Sequence, residues 1–160
     1  MTAAGTGLFQ NPLPTPQPMQ IIGTGVDLCQ IARMAVVLER HGAAFLKRVF
    51  TKGERAHLQA LPDHAMAAAC AKRWAAKEAC VKALGTGFAA GVHPAQVGVA
   101  RAPGGQPQLV LSGAAQLRAQ ALAGPTLEPA LFLSISDDGD YAMAHVILQA
   151  MPSAQLRQAF

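Results

Sequence analysis

Glu78 is the only carboxylate in RWAAKEACVKALGTG, residues 73–87, and it stands among three cations, Arg73, Lys77 and Lys82. A second carboxylate, Asp27, follows the run IIGTGV, whose two glycines leave room for close approach of backbone or ligand. Two carboxylates brought to ~4 Å at an effective dielectric of ~20 repel by ~4 kcal/mol. That is a large share of a domain's net stability, so such a pair needs a shared proton or a cation. Two hard oxygen donors with space for water suit Mg²⁺, which keeps several waters and adds phosphate oxygens from a substrate. Arg73, Lys77 and Lys82 then neutralise phosphate around the metal. A plainer reading stands beside this one. Glu78 and Lys82 are also an exposed helical i,i+4 pair contributing only ~0.3–0.5 kcal/mol, and Asp27 is also a candidate cap for the next helix.

The elements that must bring Asp27 and Glu78 together can be read from pattern. MQIIGTGVDL is apolar and β-branched, predicting a strand from about Gln20 to Val26. Helical periodicity runs from Ile31 to about Val49. TKGE offers Thr51 as an N-cap with Glu54 as its capping-box partner, opening a short helix to about Leu61. A long helix follows, with Asp63 as its cap and Gly85 at its left-handed C′ position. At ~100° per residue, Cys70, Trp74 and Val81 share a core-facing stripe, Leu84 lies near its edge, and Glu78 borders it.

The rest reads mostly as strands. QVGVARAPGGQPQLVL is a hairpin about Pro-Gly-Gly, and ALFLSISDDGDYAMAHVILQ a second one turned by Asp138-Gly139. Between them lies a helix with Ser112 as N-cap. Early helices and late hairpins define an α+β class, a long helix packed on a small antiparallel sheet. Residues 1–18 stand apart: prolines at 12, 14, 16 and 18 exclude helix and predict a disordered leader. The folded domain is expected over residues 19–150, with a tail of no clear pattern over 151–160.

Composition narrows the function. The chain has 160 residues, 51% of them hydrophobic and 14% charged, which excludes a disordered chain and fits one domain. A net charge of +4 permits an acidic partner, but no aromatic-basic motif or long cationic run points to nucleic acid. Three scattered cysteines make neither a disulfide framework nor a zinc site. No segment approaches the ~18 apolar residues of a membrane span, and no Lys or Arg precedes Arg33, so the expected compartment is the cytoplasm. GTGVDL lacks the third glycine of a dinucleotide fingerprint, and no GxxxxGK[ST] loop exists.

GTGVDLCQIARM followed by KRWAAKEACVKALGTG resembles the holo-acyl-carrier-protein synthase family, the short type of 4′-phosphopantetheinyl transferase. The family pattern, G-x-D-x-x-x-I-x-R and then R-[FW]-A-x-K-E-A-x-x-K-A-x-G-x-G, is matched in both halves and in order. The resemblance runs from Met19 to about Gln149. It implies transfer of phosphopantetheine from coenzyme A to a serine of an acyl carrier protein, with release of adenosine 3′,5′-bisphosphate. It implies that Asp27 and Glu78 hold Mg²⁺, and that Arg73, Lys77, Lys82, Gly85 and Pro107 meet the coenzyme. The base that takes the serine proton stays open between Asp27, Glu78 and a water on the metal.

The same resemblance implies a homotrimer with sites at subunit interfaces, because the larger transferases carry two such halves and this chain carries one. Arg33, Arg40 and Lys47, spaced seven apart, drift only ~20° per step and form one basic stripe; a solvated face explains that spacing alone. The resemblance makes the stripe a dock for the acidic carrier, since Arg33 falls on the motif. Two positions depart from the pattern: Asp137 stands where many members have His, and Gln106 where many have Lys. The rival readings are a transferase serving polyketide or peptide synthetase carriers, and a non-enzymatic basic module.

Overall fold

The structure, a computed structural model, describes residues 19–159; the Pro-rich leader lies outside them. Strand β1 (Gln20–Gln30) leads directly into α1 (Ile31–Val49), then α2 (Lys52–Gln59) and the long α3 (Asp63–Ala83). A 3-10 turn (Pro94–Gln96) leads into β2 (Val97–Arg101) and β3 (Pro107–Leu111), which pair as a hairpin. Helix α4 (Gly113–Ala123), strands β4 (Glu128–Asp138) and β5 (Tyr141–Met151), and α5 (Ser153–Ala159) complete the chain. The main sheet is antiparallel in the order β1-β5-β4. The α+β expectation therefore holds.

Helix α3 lies across that sheet, and the packing is unusually close for a reason visible in β1. A Cβ on Gly23 or Gly25 would overlap the carbonyl oxygens of Ala83 and Ala79. With glycine on the strand and alanine on the helix, backbone meets backbone. The core between them is built from Ala79, Val81, Ala144, Val146 and Leu148. A second core under α1 and α2 gathers Met34, Phe50, Leu58 and Cys70.

Several expectations need correction. Strand β1 runs four residues beyond Val26, because β5 pairs with it as far as Gln30–Tyr141. Asp27 is thus inside the strand, and the residue before α1 is Gln30, so Asp27 caps nothing. The α1 backbone is broken at Gly42 (φ 38, ψ −119), a conformation reserved for glycine. Asp63 sits in the first turn of α3 and does not cap it; Pro62 holds the N-cap position. Burial wraps most of α3 rather than one stripe, since sheet, hairpin and helices surround it. Ser112 occupies the N-cap of α4 without bonding as a cap. Met151 belongs to β5, and the expected tail forms α5.

Other local expectations hold. Thr51 accepts from the Glu54 N–H at 3.2 Å, and Glu54 Oε2 accepts from the Thr51 N–H at 2.8 Å. Gly85 takes φ 71 just past α3. The second hairpin forms as expected, but its turn lies one residue later than Asp138-Gly139: Asp138 pairs with Tyr141, and the turn is Gly139 (φ 54) and Asp140, whose carbonyl receives the Ile31 N–H at 2.8 Å and so ties the start of α1 to the sheet. No helix among the described residues is long and apolar enough to cross a membrane.

Candidate active site

Along β1, alternate side chains face α3, so Asp27 follows Gly23 and Gly25 on that side. The close approach of Ala79 and Ala83 to those glycines sets Glu78 and Lys82 beside it. Lys82 Nζ donates to Asp27 Oδ1 at 2.8 Å and to the Val26 carbonyl at 2.9 Å. Asp27, Glu78 and Lys82 line one cavity of about 550 Å³ together with Arg33, Phe45 and Trp74. Burial pushes the Glu78 carboxyl up from its ordinary value; the Asp27 charge adds to that, and Lys82 opposes it.

The structure therefore brings the two carboxylates to one cavity. Among the described residues no group of three or more His, Cys, Asp or Glu side chains could hold a metal. The donor set is two carboxylates beside open volume, which fits an ion that completes its shell with water and substrate oxygens. Trp74 is only partly buried: it packs with Phe45 against the second core, and its ring lies 6.4 Å from Phe45 and 5.7 Å from Phe88, so one side of it walls the cavity.

Lys77 is not at this cavity. Its side chain is 0% exposed and its Nζ lies 2.9 Å from Glu54 Oε2. The ammonium also donates to the carbonyls of Pro94 and Val97. All three donors are committed, so Lys77 has none for a phosphate. The expectation that it neutralises phosphate is corrected, and the cause is its place on the wholly buried side of α3.

Arg73 lies five residues before Glu78, ~140° round the helix, and opens elsewhere. It lines a second cavity of about 690 Å³ with Lys72, Arg101, Pro107 and Asp137. Arg73 Nη1 donates to the Ala69 carbonyl at 3.1 Å, while its Nε is buried without a partner among the described residues. Burial lowers the Arg73 pKa from its usual value; Arg101 pushes the same way and Glu54 against it. A guanidinium this poorly satisfied is suited to an anion.

The remaining residues separate. Gly85 is exposed past the end of α3, beside Leu84, whose carbonyl accepts from Arg118 Nε at 3.0 Å. Gln106 closes the β2–β3 turn, its carbonyl accepting from the Ala102 N–H at 2.9 Å. Arg33, Arg40 and Lys47 are all exposed on α1, but the break at Gly42 separates Lys47 from the other two. Only Arg33 reaches the Asp27 cavity. Sequence reasoning missed Lys72, Arg101 and Glu54 as wall residues of the second cavity. The signal for Arg101 was weak, a strand-end cation before Pro-Gly-Gly. For Lys72 it was its place beside Arg73.

Comparison with known proteins bears on this geometry. Residues 23–145 match the 4′-phosphopantetheinyl transferase superfamily, to which the chain belongs. Within it, the chain is similar to holo-[acyl-carrier-protein] synthases. That of Gluconobacter oxydans is 48% identical over 139 residues, covering 87% of this chain and 88% of that protein. The crystal structure of the Neisseria meningitidis synthase superposes with a TM-score of 0.69 at 29% identity, covering 81% of this chain and 98% of that one. The Bacillus anthracis synthase, solved in complex with CoA (3′,5′-ADP), superposes with a TM-score of 0.66 at 30% identity, covering 82% of this chain and 98% of that one.

Proposed function

We propose that the Asp27–Glu78 cavity carries out transfer of 4′-phosphopantetheine from coenzyme A to a serine of apo-acyl carrier protein. The products are the holo carrier and adenosine 3′,5′-bisphosphate. The observation that carries this reading is the convergence of Asp27, Glu78 and Lys82 on one cavity in a chain of this superfamily. Asp27 and Glu78 hold Mg²⁺ through their carboxylate oxygens. When bound, that ion polarises the pyrophosphate and stabilises the charge of the leaving bisphosphate.

The chain's own groups do the positioning on which displacement at phosphorus mainly depends. Lys82, bonded to Asp27, keeps that carboxylate aimed into the cavity and supplies positive charge beside the pyrophosphate. The serine proton goes to a base at this cavity, either a carboxylate oxygen of the Asp27–Glu78 pair or a water held beside them. Arg73 and Arg101 bind phosphate of the coenzyme in the second cavity, with Pro107 on its wall. Arg33 at the rim of the first cavity receives the acidic carrier.

The two cavities lie on different sides of α3, which favours completion of the site by a neighbouring copy. The face of the sheet away from α3 supports this. Val26, Leu28, Tyr141 and Met143 leave it exposed and apolar, and Leu28 and Tyr141 also border the Asp27 cavity. A homotrimer covers these faces and brings the Arg73 cavity of one copy to the carboxylate pair of the next. The cytoplasm suits the chain's three free thiols.

The test is direct. Purified chain, apo carrier protein, coenzyme A and Mg²⁺ are incubated, and mass spectrometry looks for one added phosphopantetheine on the carrier. Asp27→Ala and Glu78→Ala should each abolish the adduct while keeping the circular dichroism of the wild type. Near-normal turnover by either folded variant at ordinary Mg²⁺ would overturn the metal assignment. Absence of the adduct on every apo carrier would overturn the reaction.

A further inference from the structure

The second cavity contains an ion pair that the transfer reaction does not use. Lys72 Nζ lies 2.9 Å from Asp137 Oδ1, with the two side chains 34% and 39% exposed. Both residues line the cavity that holds Arg73 and Arg101. Glu54, the other carboxylate on that wall, is already bound to Lys77. Lys72, Arg73 and Arg101 thus bring three positive charges to the cavity, and Asp137 cancels one of them.

We infer that Asp137 sets the affinity of this cavity for the phosphates of coenzyme A by holding Lys72 as its own counter-ion. The inference rests on the proposed transferase reading. Among the described residues, an arriving phosphate meets two guanidiniums with no carboxylate in ion-pair contact and one ammonium that has one. To gain the third cation it must displace Asp137, which stays at the end of β4 as a negative charge beside the ligand. The contact is half-exposed, so it is weak enough to be exchanged.

The arrangement has a kinetic purpose. The departing bisphosphate keeps the phosphates by which the coenzyme was gripped. Grip that is equal for substrate and product lowers KM without raising kcat, and beyond a point it delays release. A resident counter-ion limits that grip while leaving Arg73 to orient the ligand.

The experiment measures binding of adenosine 3′,5′-bisphosphate by calorimetry to four full-length proteins: wild type, D137N, K72M and the D137N/K72M double variant. D137N should bind about two- to five-fold more tightly than wild type, the range expected when one exposed ion pair is redirected to a ligand. That gain should largely vanish in the K72M background, because the freed ammonium is its source. In turnover, D137N should lower the KM for coenzyme A and leave the KM for carrier protein unchanged. D137S serves the same purpose if D137N folds poorly. Unchanged binding by a folded Asp137 variant overturns the inference, and so does a gain that persists at full size without Lys72. If the wild type itself does not bind the bisphosphate, the coenzyme reading of this cavity falls, and this inference falls with it.

Discussion

Lys77 and Glu54 form an ion pair with essentially no solvent contact, 0% and 1% exposed, at 2.9 Å. The Glu54 carboxylate also accepts from the N–H groups of Thr51 and Val99. One carboxylate therefore joins the start of α2, the middle of α3 and strand β2, which carries part of the second cavity. Burial drives the Lys77 ammonium below its ordinary pKa, and Glu54 works against that shift. Removing one partner strands the other as a buried charge. Lys77→Met and Glu54→Gln should each cost about 3–5 kcal/mol in urea denaturation, and the double variant less than their sum. Additive losses would show that the pair is not coupled.

Gly25 is the point where β1 presses on α3. A methyl group there would overlap the Ala79 carbonyl, which is backbone and cannot rotate away. Gly25→Ala should destabilise the fold by about 3 kcal/mol, at the upper end for overpacking. It should also lower kcat by displacing Asp27 from Glu78. Wild-type stability in urea would refute the close approach.

Glu78 gives a pH prediction whose sign can be worked out. Its folded-state pKa is raised above its ordinary value, chiefly by burial and next by Asp27. Between the ordinary and the raised value the folded state binds more protons than the unfolded one. Stability of the metal-free protein from this group must therefore rise as pH falls through that window. Above the raised value the ionised carboxylate is a net cost. Glu78→Gln should accordingly raise the melting temperature of metal-free protein at pH 7, by a small amount because the carboxyl is largely open to screening solvent, while eliminating transfer. A lower melting temperature would mean that Lys82 more than compensates the carboxylate.

Much of this organisation was legible in the sequence. Thr51 and Glu54 announced their capping box because its two bonds join residues three apart. The hairpins were legible because Pro-Gly-Gly and Gly139 are local turn signals. The Asp27–Glu78 convergence was legible only through the motif resemblance, since nothing local links residues 51 apart and two carboxylates by themselves repel. The buried state of Lys77 was hidden, since a lysine's partner is set by tertiary packing and Glu54 had already been assigned a local role. The basic stripe failed at Gly42, whose positive φ depends on how α1 bends over α3. The single stripe on α3 failed because alanine is equally at home on every side of a surrounded helix.

The exposed sheet face predicts assembly. Met143 and Leu28 are register partners on that face, 42% and 59% exposed in the isolated chain. Met143→Lys should convert the proposed trimer to monomer in light scattering, with transfer lost in parallel and circular dichroism retained. A fully active monomer, wild type or variant, would refute an interface site.

Carrier recognition should divide along α1 at Gly42. Arg33 and Arg40 precede the break, Lys47 follows it, and only Arg33 borders the Asp27 cavity. Charges at an interface rim mainly steer encounter, and screening over ~8 Å at physiological ionic strength weakens them. Arg33→Glu should raise the KM for apo carrier by about tenfold, roughly the cost of turning one attractive contact repulsive, with little change for coenzyme A. Arg40→Glu should act in the same direction but less, being about two turns further along the helix from the cavity. Lys47→Glu should change the carrier KM by less than about twofold, because the break removes it from that face. Equal effects at all three positions would restore the continuous stripe, and no effect at Arg33 would leave α1 a solvated surface.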